Sequence, residues 1–375
     1  MKKFLLIIIA AMFLFSGCGE SKVVTADMQG GKINKVDTTP PDPIEEALKS
    51  MTLEEKIGQM VFIGFYGTEI NDDVKFLLNN FHFGGIILYD RNLQSVAQTK
   101  KLTDDIQAFA NQKFPLFVSI DEEGGRVARG KDFLTPAPSQ EEIGLSGDFS
   151  NANYWAKYNA SLLKSIGVNI NFAPVADVGS RDTRSFGDDP QIVTEFIEAS
   201  ANGYEQENFL YTLKHFPGIG KSKIDPHKEV SNVEVSREVL DAEDLPPFKK
   251  IISTHDNSKF MIMIGHLKYD AIDPENSASL SSIVMTDLLR NELGFSGVII
   301  TDDLEMGAIK NHADLATLGV KTIQAGSDIA LLCHNYESQK IIYNSILDAV
   351  KRGEISETRI NESVRRILKL KSHLR

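Results

Sequence analysis

Lys214-His215-Phe216-Pro217-Gly218-Ile219-Gly220 puts a lysine and a histidine at the end of a short apolar run, and Asp225-Pro226-His227 then places an aspartate two positions before a second histidine in a Gly/Pro-rich loop. A carboxylate beside an imidazole is a standard way to orient a group that gives and takes protons. A lone Asp-x-His says little, because most such triplets are solvated loop residues. Its weight comes from the polar residues that follow other apolar runs. Asp121-Glu122-Glu123-Gly124-Gly125-Arg126-Val127-Ala128-Arg129 follows one. Ala173-Pro174-Val175-Ala176-Asp177 follows another, with Arg181, Arg184, Ser185, Phe186 and Gly187 in the loop beyond. Gly265-His266 ends a further run, and Thr301-Asp302-Asp303-Leu304-Glu305-Met306 the next. Taken singly, each has an ordinary structural explanation. Asp302 and Asp303 could cap a following helix, and Asp121 could pair with Arg126 or Arg129. Five such ends converging on one rim make a site.

That convergence requires a fold that gathers strand ends. Eight short apolar runs qualify as strands: Val61–Phe65, Gly85–Tyr89, Leu116–Ile120, Val168–Phe172, Tyr211–His215, Phe260–Ile264, Gly297–Thr301 and Ile329–Cys333. Continuous rather than alternating apolar runs fit parallel strands covered on both faces. Helical stretches separate them, among them Ser95 to Asn111 and Ile192 to Asn208. Thr52-x-x-Glu55 has the form of a capping box opening a helix before the first strand, and Ile360, Val364, Ile367 and Leu368 keep a helical spacing near the end. The expected fold is a single TIM-like (β/α)8 barrel, or a close variant with one irregular or reversed strand, with its chemistry where the strands end. A doubly wound open sheet is the alternative, but no G-x-G-x-x-G follows the first strand.

The N-terminus reads as an export signal. Met1-Lys2-Lys3 is basic, Phe4 to Phe15 is apolar but too short to span a bilayer stably, and Leu14-Phe15-Ser16-Gly17-Cys18 resembles a lipobox. Residues 1–17 are then a signal peptide, and Cys18 is left for acylation, where two or three chains anchor far better than one. An ordinary signal peptide with a chance cysteine is the other reading. Residues 18–43 are polar and end in Pro40-Pro41-Asp42-Pro43, a tether between lipid and domain. Residues 44–375, about 330 positions, are ordinary for one α/β barrel. The protein is expected to face the extracytoplasmic side, periplasmic or at the cell surface, and Gly19 after the cysteine favours an outer membrane where the cell has one. Cys333, the only other cysteine, sits in an apolar run and is expected to be a buried strand residue. Loss of Lys2 and Lys3 takes the formal charge from −12 to −14, which argues against nucleic acid as a partner.

The chemistry narrows by elimination. There is no H-E-x-x-H and no cysteine pair at metal spacing, and Lys214 with its neighbouring arginines would repel a metal. The eighth run ends in His334 rather than a glycine-rich phosphate loop, so no cofactor is expected. What remains is a carboxylate nucleophile, a proton donor, and a ring of Arg, Lys, Asp and His able to hydrogen-bond hydroxyls. That inventory suits glycoside hydrolysis, where a retaining enzyme holds a nucleophile and an acid/base about 5 Å apart. The unusual part is the acid, a histidine oriented by an aspartate.

Six motifs, in order and spread over nearly the whole chain from about residue 45, resemble the bacterial β-N-acetylglucosaminidases of glycoside hydrolase family 3. They are Asp121-Glu122-Glu123-Gly124-Gly125-Arg126-Val127, Asn171-Phe172-Ala173-Pro174-Val175-Ala176-Asp177, Arg184-Ser185-Phe186-Gly187, Lys214-His215-Phe216-Pro217-Gly218, Asp225-Pro226-His227 and Thr301-Asp302-Asp303-Leu304-Glu305-Met306. The resemblance implies a TIM-like barrel and a retaining mechanism through a glycosyl-enzyme. It makes Asp302 the nucleophile, a choice spacing alone leaves open between Asp302 and Asp303. It makes His227 the general acid/base on a mobile loop, with Asp225 as its orienting partner. Asp121, Arg129, Arg184, Lys214 and His215 become contacts to the sugar's hydroxyls and acetamido group. The implied substrate is a small glycan or muropeptide, a cell-wall fragment or chitooligosaccharide, handled by a monomer.

Three positions depart from the family pattern: Ile219 where a His is usual, Lys221-Ser222 where Asp-Thr is common, and Pro226 where a Ser usually sits between the Asp and His. Pro226 stiffens the backbone between Asp225 and His227, with its effect expected on loop closure. A histidine acid is sound chemistry, since free imidazole titrates near pH ~6.5 and a neighbouring carboxylate favours its protonated form. After donation, a neutral imidazole does not repel an anion. A β-N-acetylglucosaminide phosphorylase is therefore a second reading, and a catalytically silent sugar-binding lipoprotein a third. The β-glucosidase branch usually draws its acid from a second domain, for which this chain has no length.

Overall fold

The computed structural model describes residues 42–179, 182–220, 232–306 and 314–374. Cys18, Arg181, Asp225, Pro226 and His227 lie outside the described residues, as does nearly all of the first of the chain's two units, Met1–Pro43. The second unit, Ile44–Arg375, holds the fold.

Eight parallel strands close into a barrel, with neighbours in chain order and the last paired back on the first. They are β1 (Val61–Gly64), β2 (Gly85–Leu88), β3 (Phe117–Ile120), β4 (Ile170–Asn171), β5 (Leu210–Phe216), β6 (Phe260–Ile264), β7 (Val298–Asp303) and β8 (Ile329–Leu332). All eight expected strands are present and the sheet is closed, so the doubly wound alternative falls. One residue among all the barrel strands escapes full burial, and it is Asp302. The rest are covered inside by one another and outside by helices, which is why the apolar runs do not alternate.

Packing inside the barrel matches large to small. Phe62 stands opposite Gly85, where an added Cβ would lie 2.5 Å from the Phe62 ring. Phe62 in turn meets Phe117 at 5.4 Å between ring centres. The helices begin and end where their caps dictate. Thr52 Oγ1 accepts the Glu55 amide at 3.2 Å while Glu55 Oε2 accepts the Thr52 amide at 2.8 Å, completing the expected capping box. Helix Val96–Ala110 runs from the Ser95 cap to Asn111, which turns left-handed at φ 42°. Pro190–Gln206 starts two positions earlier than the apolar pattern indicated, because Asp189 caps it and Pro190 takes its first turn. In the last long helix, Glu357–Lys371, the residues Ile360, Val364, Ile367 and Leu368 are all buried.

No barrel strand is reversed, but two are irregular where the chemistry sits. The register of β5 against β6 shifts between Leu213 and Phe216, and that of β7 against β8 between Ile300 and Asp303. Such a slip re-aims the side chains it carries, here Lys214, His215 and Asp302. β4 is shorter than expected, Ile170–Asn171 against Val168–Phe172. Its pairing with β5 nevertheless continues, with Thr212 N donating to Ala173 O at 3.1 Å and Ala176 N to Lys214 O at 2.6 Å.

Candidate active site

At the C-terminal end of β5, the Lys214 ammonium is buried between two carboxylates, 2.7 Å from Asp121 Oδ1 and 2.6 Å from Glu123 Oε1. An ammonium has three protons, so one remains for a ligand. Glu123 is clamped from its other side by Arg184, whose Nε and Nη2 donate at 2.7 and 2.8 Å. Burial opposes every charge in this group, but the charges compensate one another. Lys214 is held above its ordinary range by Asp121 and Glu123. Glu123 is held far below the carboxylate range by Lys214 and Arg184. The arginine forks planar onto its carboxylate, a geometry a lysine could not reproduce.

His215 is fixed by Asp177. Its ring Nδ1 lies 2.7 Å from Asp177 Oδ2, while Asp177 Oδ1 accepts the amides of His215 at 3.1 Å and Ile219 at 2.9 Å. A carboxylate only accepts, so Nδ1 carries the proton. The other ring nitrogen lies 3.3 Å from Arg184 Nη2. Ile219, one of the departures from the family pattern, thus contributes through its backbone. Arg129 arches over the Tyr89 ring at 5.1 Å and reaches within 3.9 Å of Asp121 Oδ2 and 3.4 Å of Asp90.

Across the rim, β7 presents Asp302 and Asp303 in two different environments. Asp302 is half-buried and accepts the Asp303 amide at 2.8 Å. Burial pushes its carboxyl up, but the nearby His215 and His266, the Asp303 amide and Lys214 outweigh that and hold it below its ordinary range. Asp303 is buried, and burial together with Glu305 and Asp302 raises it to about 7. Its Oδ1 accepts the amides of Glu305 at 3.0 Å and Cys333 at 3.2 Å, so it fastens β7 to the end of β8. His266, at the end of β6, donates Nε2–H to Asp303 O at 2.9 Å, and its Nδ1 lies 2.8 Å from Ser279 Oγ. One of two adjacent carboxylates is therefore ionised and open, and the other is buried, tied to two backbone amides and easier to protonate, a pairing that separates their roles.

The structure brings Asp121, Arg129, Arg184, Lys214, His215 and Asp302 to one end of the barrel. Asp121 pairs with Lys214, not with Arg126, which binds Asp182 instead. Glu123 and Asp177 sit in strand-end motifs but carry no role in a reading of the sequence alone, and the structure makes them the residues that orient Lys214, Arg184 and His215. The only signal in the chain was a charge directly after an apolar run. Cys333 is free and buried as expected, just past the end of β8. Among the described residues no cluster of three or more His, Cys, Asp or Glu could hold a metal ion.

The sequence pattern of the glycosyl hydrolase family 3 N-terminal domain matches residues 52–370. The chain belongs to glycoside hydrolase family 3. It is similar to β-hexosaminidase A of Pseudoalteromonas piscicida, at 33% identity over 82% of this chain, although it spans only 56% of that relative's length. The β-hexosaminidase of Nitrosomonas eutropha is 32% identical over 81% of this chain and 90% of its own. In three dimensions the chain is similar to a family 3 β-N-acetylglucosaminidase from Paenibacillus sp. FPU-7. There the TM-score is 0.83 and the identity 38%, over 86% of this chain and 63% of that one. The residues matched by the family pattern include every described residue of the site.

Proposed function

We propose that the chain is a retaining, exo-acting β-N-acetylglucosaminidase that removes terminal N-acetylglucosamine from cell-wall fragments or chitooligosaccharides. The observation that carries this reading is Asp302, an ionised carboxylate at the one opening in otherwise buried strands, across the rim from a preorganised ring of hydrogen-bonding charges. Asp302 would attack the anomeric carbon and form a glycosyl-enzyme. His227, oriented by Asp225, would protonate the leaving oxygen and then deprotonate the water that releases the sugar. Lys214, Arg184, Asp121, Arg129 and His215 would hold the sugar's hydroxyls and acetamido group. The names of the relatives support the choice of sugar. Turnover of 4-nitrophenyl N-acetyl-β-glucosaminide with and without inorganic phosphate tests the reading, with free N-acetylglucosamine of retained configuration as the expected product. N-acetylglucosamine 1-phosphate would make the protein a phosphorylase, and binding without turnover a sugar-binding protein.

We further propose that a monomer is anchored through acylated Cys18, with the site on the extracytoplasmic side. Cys18→Ser is expected to move the protein from the membrane to the soluble fraction with its specific activity unchanged, since a polar tether gives acylation no route to the chemistry. Wild-type protein found wholly soluble, with Cys18 unacylated, sinks this second reading.

A further inference from the structure

Beside β7, at the C-terminal ends of β8 and β1, lies a cavity of about 550 Å³ lined by Tyr66, Glu305, His334, Asn335, Tyr336 and Glu337. Nothing in the chemistry above uses it, yet it shares walls with the site. His334 Nε2 lies 3.5 Å from Asp303 Oδ2, one residue beyond Asp302, and the His334 ring is 5.5 Å from that of Tyr89. Arg91 is stacked between the Tyr66 and Tyr89 rings at 4.5 Å from each, and Arg129 covers Tyr89 on its way to Asp121. An unbroken stack thus runs from the cavity to the sugar-holding ring.

The cavity is built rather than incidental. Tyr66 is 52% exposed, a large aromatic face left in water, but its amide donates to Tyr336 Oη at 3.0 Å and its ring meets Tyr336 edge-on at 6.4 Å. Glu305 accepts the amides of His334 at 2.6 Å and Asn335 at 3.1 Å, which fixes the β8 loop. Arg91 gives its donors to Phe65 O, Cys333 O and His334 Nδ1, so its charge is sandwiched and has few protons to offer. Two of the six lining residues are carboxylates, Glu305 and Glu337, the latter paired with Lys340 behind it, while burial and Arg91 hold His334 below its ordinary range.

A held aromatic face with acceptors at its edge is what a pyranose recognises. Its axial C–H bonds pack on the electron-rich ring, and its hydroxyls donate to carboxylates. A sugar carrying its own carboxylate would meet like charge here. We propose that this cavity is the leaving-group subsite, and that it takes an uncharged N-acetylhexosamine unit stacked on Tyr66 in preference to a carboxylate-bearing one. The inference rests on the β-N-acetylglucosaminidase reading and narrows its substrate to neutral chito-oligosaccharides.

Steady-state kinetics on the full chain with three substrates decides it. They are diacetylchitobiose, the same disaccharide with a lactyl carboxylate on its reducing sugar, and trifluoroethyl N-acetyl-β-glucosaminide, whose small leaving group does not reach the cavity. Tyr66→Ala is expected to raise KM for diacetylchitobiose by about tenfold, a loss of the size a stacking contact supplies. It should leave the trifluoroethyl substrate unchanged, and Tyr66→Trp should keep the wild-type KM. Wild type should prefer the neutral disaccharide, and Glu337→Gln should narrow that preference. Equal losses on diacetylchitobiose and the trifluoroethyl substrate, or a wild-type preference for the carboxylated disaccharide, overturn the subsite while the hydrolase reading stands. No wild-type turnover of the trifluoroethyl substrate overturns both.

Discussion

Asp328 and Asp302 stand at opposite ends of neighbouring strands, the first just before β8 and the second near the end of β7, and each is surrounded by cationic or titratable side chains. Asp328 is fully buried, and all its acceptor positions are filled. Oδ1 takes Ser363 Oγ at 2.6 Å and Arg366 Nη1 at 3.0 Å, while Oδ2 takes the Ile299 amide at 2.9 Å and Arg290. Arg359 stands 3.6 Å from the same carboxylate. The cluster ties the start of two strands to the helix Glu357–Lys371. Asp302 also sits among His215, His266 and Lys214, but it is half-buried and opens on the cleft. Burial works against both carboxylates, and cationic neighbours hold both below their ordinary range. A shifted titration therefore does not separate the functional aspartate from the structural one. Saturation does, together with strand polarity, since a closed network at the N-terminal end of a barrel serves stability and an open one at the C-terminal end serves chemistry.

The sharpest test of this contrast is to remove each carboxylate. Asp302→Ala is expected to lower kcat by ~10⁴-fold or more, because a nucleophile acts only in the transition state, with the urea midpoint unchanged or slightly higher. Asp303→Asn, which keeps the shape and an oxygen to accept the Glu305 and Cys333 amides, is expected to lose less than about tenfold in the same assay. If the Asp303 variant proves the deader of the two, the roles assigned on β7 must be exchanged.

Asp328→Ala should do the opposite. It leaves three arginines around an uncompensated hole and is expected to cost about 3–5 kcal/mol of unfolding free energy, with kcat per folded molecule unchanged. Urea denaturation read beside active-site titration checks both halves. A loss of kcat at full foldedness would mean that the two ends of the barrel are coupled.

The smallest effect concerns a cation at the same end that has no counter-charge among the described residues. Lys371 is buried with its ammonium 2.7 Å from Gln59 Oε1 and 5.3 Å over the Phe117 ring, and burial lowers it from 10.5 to about 7. Between pH 7 and about 10.4 the unfolded lysine holds a proton that the folded one has shed. Stability therefore rises with pH across that window and falls again as pH drops towards 7. Lys371→Met is expected to flatten this dependence and to leave stability at pH 7 within about 1 kcal/mol or improved, since an apolar isostere replaces a buried unpaired charge. Urea midpoints at pH 7 and pH 9 for both proteins measure it, and an unchanged pH slope in the variant would show that Lys371 does not titrate there.

Much of this was legible in the chain because it rests on local physics. The eight runs buried on both faces declared themselves by lacking alternation, and the Thr52 cap by residue type. Boundaries moved where a rule beyond the apolar pattern applied, as at Asp189-Pro190, and β5 and β7 ran on past their expected ends into Phe216 and Asp303. Asp328 drew no notice in the sequence, because a single charge before an apolar run looks the same whether it closes a network or solvates a loop.

By itself the sequence determined that this is a parallel barrel with polar strand ends, and which motifs those ends carry. Hydrophobic runs, caps and turn residues act over a few positions and are read in one dimension. The tertiary structure decided the partners: Lys214 with Asp121 across 93 positions, Glu123 with Arg184 across 61, and His215 with Asp177 across 38. It also decided that Asp302 opens on the cleft while Asp303 is buried. That choice depends on a register slip of β7 against β8, and a register exists only between strands.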